Sequence, residues 1–312
     1  MIIKLPKFFD YNNFDLILNQ QESIWEEAKK DSKQLIFDVS ATEYISILGI
    51  LLITQIADSI RDKCKCVIRY GKSKQASFMA GLMSIMGVVN NRLDKKIQEY
   101  LDNFRVPVQR CHNGGENLKA VNKVIPIIKN EFKPSEEVLK ALNWALWELV
   151  DNAGMHAYDI SEFNINYPHP LYFCAFDYKN TIDIAILDMG KGIQASFLAS
   201  GKEKYKNVSN EDALKLAIQN GETGNPKGST GFGLFGCCEI AKQARGKLVI
   251  ISGSHKLIVS EKSIQSFPCS KFNGTMVSLR IPREVVLNLE KIFGESNIIL
   301  EPIEDLLGDF NG

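Results

Sequence analysis

Through residues 134–158 the apolar side chains Val138, Leu142, Ala145, Leu149 and Ala153 recur at steps of three and four. That spacing gathers them on one stripe of a long α-helix, and such a stripe has to be buried against another element. The start is marked by Pro134-Ser135-Glu136-Glu137, a hydroxyl placed to cap free amides and two acids at the positive end of the helix dipole. The segments downstream supply the other element. Residues 171–178 and 181–187 flank the two-residue Lys179-Asn180, which reads as a β-hairpin. Further strands are predicted at 247–251, 256–260 and 275–281, and a helix at 235–244. The expected unit is an α/β sandwich with helices on one face of a mixed, largely antiparallel sheet.

The first hundred residues follow a different rhythm. Short strand patterns at 35–39 and 66–70 alternate with helical ones at 47–60 and 75–86, which is α/β alternation. Between about 105 and 134 the pattern loosens at Pro107, Gly114-Gly115 and Pro126. The expected organisation is therefore a first α/β domain over 1–105, a linker over 106–133, a second domain over 134–284 and a tail over 285–312. In the tail Val285, Val286, Leu289 and Ile292 sit at helical spacing, which suits packing on the sheet or a contact for homodimerisation.

Charge narrows the partners. Thirty-seven Lys and Arg balance thirty-seven Asp and Glu, whereas a phosphate-backbone binder carries a basic excess, so no nucleic acid is expected. The longest apolar run, 45–57, is broken by Ser46, Thr54 and Gln55 and is shorter than the roughly 20 residues a membrane span needs. The first residues, Met1-Ile2-Ile3-Lys4-Leu5-Pro6, show no secretory signal. A cytoplasmic location is expected. The seven cysteines have no second pair at zinc-ligand spacing and read as reduced, buried thiols.

Four local patterns carry chemistry. Glu148 and Asn152 are one turn apart on the predicted helix, a carboxylate able to orient a hydroxyl for attack on phosphorus beside an amide oxygen suited to Mg²⁺. Asp188 ends an apolar strand and leads into Gly190, Gly192 and Ile193, where an acid can accept from the exocyclic amine of adenine. Lys227, Ser229, Thr230, Gly231, Phe232, Gly233 and Leu234 precede a helix whose first amides are open to a phosphate. Thr275 opens a late strand after Gly274, with a hydroxyl that can reach the same base. Each has an ordinary alternative when taken alone: an exposed polar pair on a helix, a glycine turn, a ligand-free loop, a β-branched strand start.

In this order, Glu-x-x-x-Asn on a helix, Asp-x-Gly-x-Gly-Ile after a strand, Gly-x-Gly-Leu before a helix and Gly-Thr opening a strand resemble the GHKL ATP-binding fold of gyrase, Hsp-type chaperones, mismatch-repair proteins and histidine kinases. The resemblance covers about residues 134–282. It implies Mg²⁺ and ATP as ligands, Glu148 as general base, Asn152 as Mg²⁺ ligand, Asp188 as adenine contact and residues 195–230 as a lid. The run Glu148-Leu149-Val150-Asp151-Asn152-Ala153-Gly154-Met155-His156-Ala157-Tyr158 is most similar to the anti-sigma-factor serine kinase branch. Residues 35–40 and 44–50 resemble a STAS domain, the fold of anti-sigma-factor antagonists. Ile47 and Leu48 stand where that family carries its phosphorylatable serine, with Ser46 one position earlier, so a docking or scaffold role is expected of this domain. The resemblance implies a regulatory protein with a STAS-type or sigma-type partner. A slow ATPase switch, a serine/threonine kinase acting on such a partner and a non-catalytic interaction module all remain compatible with it.

Overall fold

The helix Ile47–Ile60 is apolar around its circumference, and thirteen of its fourteen residues are buried, Ser59 being the exception. A helix without a solvent face must be enclosed from more than one side. The computed structural model describes residues 1–30, 34–73, 108–158, 169–178, 180–225 and 230–293. In chain order its elements are β1 (Ile2–Lys4), β2 (Phe8–Phe9), α1 (Asp15–Leu18), α2 (Gln21–Lys29), β3 (Gln34–Asp38), β4 (Tyr44–Ile45), α3 (Ile47–Ile60), β5 (Lys65–Arg69) and β6 (Gln109–Cys111). There follow α4 (Gly114–Ile127), α5 (Glu136–Tyr158), β7 (Leu171–Tyr178), β8 (Thr181–Asp188), α6 (Gly192–Ala199), α7 (Asn210–Ala217), α8 (Gly233–Gln243), β9 (Lys247–Ser260), β10 (Ile264–Pro282) and α9 (Leu289–Phe293). The class is α/β. The predicted helix at 75–86 and the tail beyond 293 lie outside the described residues.

A small parallel sheet, β1-β3-β5, forms the N-terminal unit, and a five-stranded sheet in the order β6-β7-β8-β10-β9 forms the C-terminal one, with antiparallel neighbours throughout. The hairpin is present, paired down to Tyr178 opposite Thr181. The two strands expected at 247–251 and 256–260 are one continuous strand, β9, bent where Gly253 takes a positive φ.

Both faces of the five-stranded sheet are covered. Along β8, Ile182, Ile184 and Ile186 join the core made with α4, α5 and α8. Ala185 and Leu187 point the other way, into the core that contains α3 and the parallel sheet. The same alternation splits Leu171, Phe173 and Ala175 from Tyr172, Cys174 and Phe176 on β7. Helices on one face alone is thus incomplete as a description: the N-terminal unit, with α3 as its contact helix, packs on the other. That is why β7 and β8 are near-continuous apolar runs, since a strand buried on both faces has no polar side.

The described part of the segment expected to be a linker, 108–133, is structured. In β6, Gln109 pairs with Phe173 and Cys111 with Leu171, so the segment is the sheet's edge strand. Asn113 Oδ1 accepts from the Glu116 amide at 2.9 Å and Glu116 Oε2 accepts from the His112 amide at 2.6 Å, a reciprocal cap that starts α4 at the very glycines that looked like a break. Val121, Val124 and Ile125 then fill the core against α5.

Polar ties cross between the units. Arg280 on β10 holds Asp183 on β8 through two bonds of 2.7 Å and reaches the Tyr44 hydroxyl of β4 at 3.1 Å. Asp58 of α3 accepts from the Tyr172 hydroxyl and lies 3.0 Å from Arg110 Nε. Ser46 Oγ caps α3 by accepting from the Gly49 amide at 3.1 Å. All seven cysteines are free, six of them buried, and burial pushes the Cys66 and Cys111 thiols up to about 12. Among the described residues no helix is long and apolar enough to cross a membrane.

Asp183 is 1% exposed, so losing its partner leaves a buried carboxylate uncompensated. Arg280→Ala is expected to cost about 2–3 kcal/mol in urea denaturation, and Arg280→Lys less.

Candidate functional site

The end of β8 is held by its neighbour. Asp188 is 3% exposed, stands opposite Thr275 in the ladder and accepts from the Gly190 amide at 2.8 Å. The preceding Gly274 has φ +129°, and a Cβ there would fall 2.0 Å from the Asp188 carbonyl oxygen. Only glycine permits that approach. Burial pushes the Asp188 carboxyl up to about 7, against the opposing pull of the Gly190 amide and of Thr275. The turn continues through Gly192, also at positive φ, into α6.

A second pair of groups arrives from α5. A Cβ on Gly233 would lie 2.4 Å from Asn152 Nδ2 and 2.7 Å from Glu148 Oε2, so both side chains press against the first residue of α8. No side chain caps α8, and its opening amides are left for a ligand or solvent. Glu148 is half-buried. Burial, and then the nearby Asp151 charge, raise its carboxyl to about 7.

These segments line one open cavity, of about 750 Å³ when the solvent in its mouth is included. Of the expected residues, Asn152, Asp188, Gly192, Ile193, Gly231, Gly233, Leu234 and Thr275 line it. Glu148 stands beside the lining through its contact with Gly233. Gly190 acts through Asp188. Phe232 turns into the core, where its ring meets Trp144 edge-on at 5.8 Å and Phe293 at 6.0 Å. Thr230 is exposed outside the lining. Lys227 and Ser229 lie outside the described residues.

The described part of the predicted lid is folded rather than a bare loop. Phe197, Tyr205, Ala213 and Ala217 form a small core of their own. Glu222, itself a residue of the predicted lid, lines the cavity and is gripped by Lys204 Nζ, 2.8 Å from each carboxylate oxygen, and by the Tyr205 hydroxyl. Gly231, at φ +72°, passes so close that a Cβ would meet the Glu222 carbonyl oxygen at 2.7 Å.

Sequence reasoning missed Glu222, Thr223 and Ser196 in the lining and Ser252 behind it. Glu222-Thr223-Gly224 directly precedes the glycine cluster and carries a turn signal. Ser252, inside a strand, carries none. Among the described residues no group of three His, Cys, Asp or Glu side chains is arranged to hold a metal ion. Comparison with protein-family models and with curated proteins returns no match.

Glu148 and Asp188 are harder to ionise in the folded chain than in the unfolded one, so folding binds their protons. Their contribution favours the folded state at acid pH and is lost as pH rises from the ordinary carboxylate range near 4 to about 7. Glu148→Gln is therefore expected to stabilise the protein at pH 8 by on the order of 2–3 kcal/mol, the gain fading towards pH 4. Urea midpoints at the two pH values read it.

Proposed function

We propose that the cavity is an Mg-ATP site of the GHKL type and that the protein is a nucleotide-driven regulator, with an N-terminal unit of STAS-like kind. The observation that supports this is the meeting of four segments far apart in the chain. Asp188 and Thr275, Gly192 and Ile193, Gly231 and Gly233, and Asn152 all open onto the same space, with Glu148 behind Gly233.

Asp188 accepts from an amine on the purine, a contact that guanine's carbonyl cannot supply. The Thr275 hydroxyl stands beside it. The uncapped N-terminus of α8 presents its amides to the triphosphate. A neutral amide oxygen suits a metal that brings phosphate and water oxygens of its own. Asn152 would hold Mg²⁺, whose charge offsets that of the phosphates. Glu148, with its carboxyl near 7, matches a group that must take a proton at neutral pH. It orients a water, accepts that water's proton as the oxygen attacks the terminal phosphorus, and ADP leaves. The lid, which contributes Ser196, Phe197, Glu222 and Thr223 to the cavity lining, transmits occupancy to a partner surface, as a switch requires only different nucleotide affinities of two arrangements.

Ser46 is 7% exposed and its hydroxyl caps α3, which removes it as an acceptor within the chain. In the kinase alternative the acceptor is a hydroxyl of a STAS-type partner. Incubation with γ-labelled ATP and a STAS-type protein separates the two chemistries. Release of free phosphate alone is expected, and stable label on the partner's Ser or Thr would replace hydrolysis by kinase activity.

Glu148→Ala is expected to keep ATP affinity within about threefold by calorimetry while turnover falls by about 10²–10⁴. Asn152→Ala is expected to abolish the gain in affinity that Mg²⁺ confers. Normal turnover in Glu148→Ala would sink the base assignment, and absence of any heat with wild-type protein would sink the nucleotide reading.

A further inference from the structure

Asp188, Thr275 and Ser252 occupy one row across β8, β10 and β9, since Thr275 is the ladder partner of both others. All three belong to the sheet face that looks toward α5 and the cavity, the face to which Ile186, Val277 and Ile250 also contribute. Ser252 does not line the cavity and is 2% exposed. Its hydroxyl is nevertheless fully used. Oγ accepts from the Ile193 amide at 3.0 Å and donates to the Gly274 carbonyl at 2.7 Å.

The two bonds join backbone from both sides of the cavity wall. Ile193 is in the first turn of α6, just past the Asp188–Gly192 turn. Gly274 directly precedes Thr275. Gly192 comes so near that a Cβ would lie 2.8 Å from Ser252 Oγ and 3.2 Å from the Gly274 oxygen. The turn is seated on that hydroxyl, with no side chain between. A serine can make this tie because its hydroxyl donates and accepts at once, whereas alanine at the same place removes this partner from the half-buried Ile193 N–H and from the buried Gly274 carbonyl.

We infer that Ser252 is a positioning residue for ligand recognition, fixing the Asp188–Gly192 turn and the start of the Thr275 strand at the separation that lets Asp188 and Thr275 address the same base. The inference rests on the Mg-ATP reading for the identity of that base. The tie itself does not depend on any ligand.

Two variants and two readouts test it. In nucleotide-free protein, Ser252→Ala is expected to speed amide hydrogen exchange at Ile193 and through residues 189–193 by at least about tenfold, with exchange in the β7–β8 ladder unchanged. Ser252→Thr keeps the hydroxyl and should restore slow exchange. With nucleotide, Ser252→Ala should weaken ATP at least about tenfold and shrink the preference for ATP over GTP, while the increment due to Mg²⁺ stays as in wild type. Ser252→Thr should recover the preference.

Unchanged exchange at Ile193 in Ser252→Ala overturns the tie, whatever the protein binds. Faster exchange with ATP-over-GTP preference intact overturns the positioning role and leaves Ser252 as scaffold. Should wild-type protein give no heat with either nucleotide, the Mg-ATP reading fails and positioning for a base fails with it, while the exchange result still decides whether Ser252 seats the turn.

Discussion

The burial of β7 and β8 on both faces is the constraint on which the rest of the molecule depends. With Ile182, Ile184 and Ile186 on one side and Ala185 and Leu187 on the other, the strand cannot exist in water without a cover for each face. The helical layer of α4, α5 and α8 supplies one cover and the α3 layer the other. Two consequences follow. The N-terminal unit is structurally continuous with the C-terminal sheet, and a sheet clamped from both sides is a rigid base on which a site can be held to within tenths of an ångström. Asp183 and Arg280, paired across β8 and β10 and touching Tyr44, give that contact a defined register where apolar packing alone would let it slide.

On this base the cavity combines groups that are individually costly. Asp188 is buried with its carboxyl raised to about 7, Glu148 is raised similarly, and neither has a cation among the causes of its shift. Carboxyls raised in this way by burial reduce stability at neutral pH. In the proposed reading one meets a donor on the base and the other a proton on its way from water. The close glycine approaches belong to the same economy of space: Gly233 brings backbone against the Glu148 carboxylate and the Asn152 amide, Gly192 against the Ser252 hydroxyl and Gly274 against the Asp188 carbonyl, where a methyl group would intrude.

Much of this was legible in the chain because it is local. The hairpin around Lys179-Asn180, the helix opened by Ser135-Glu136-Glu137 and the pairing of Glu148 with Asn152 one turn later depend on residues within a few positions of one another. The apparent linker was misleading for a physical reason. A three-residue edge strand is too short to show a period, and Gly114-Gly115 conceals a cap whose signal is Asn113 and Glu116. Phe232 stood within a glycine-rich motif, yet its ring packs with Trp144 and Phe293, because the motif fixes the backbone path and not the direction of each side chain.

From the sequence alone came the α/β class, the element types around the motifs and the candidate residues for the proposed phosphate, metal and base contacts. Period, caps and turn chemistry act over a few residues and need no knowledge of the fold. Tertiary structure decided that eight of those residues line one cavity while Phe232 packs elsewhere, that the second sheet face is closed by α3, and that Ser252 seats the Gly192 turn. Each of these is a matter of register between strands and helices 20 or more residues apart. Such register is set by how the two cores pack, which no local pattern encodes.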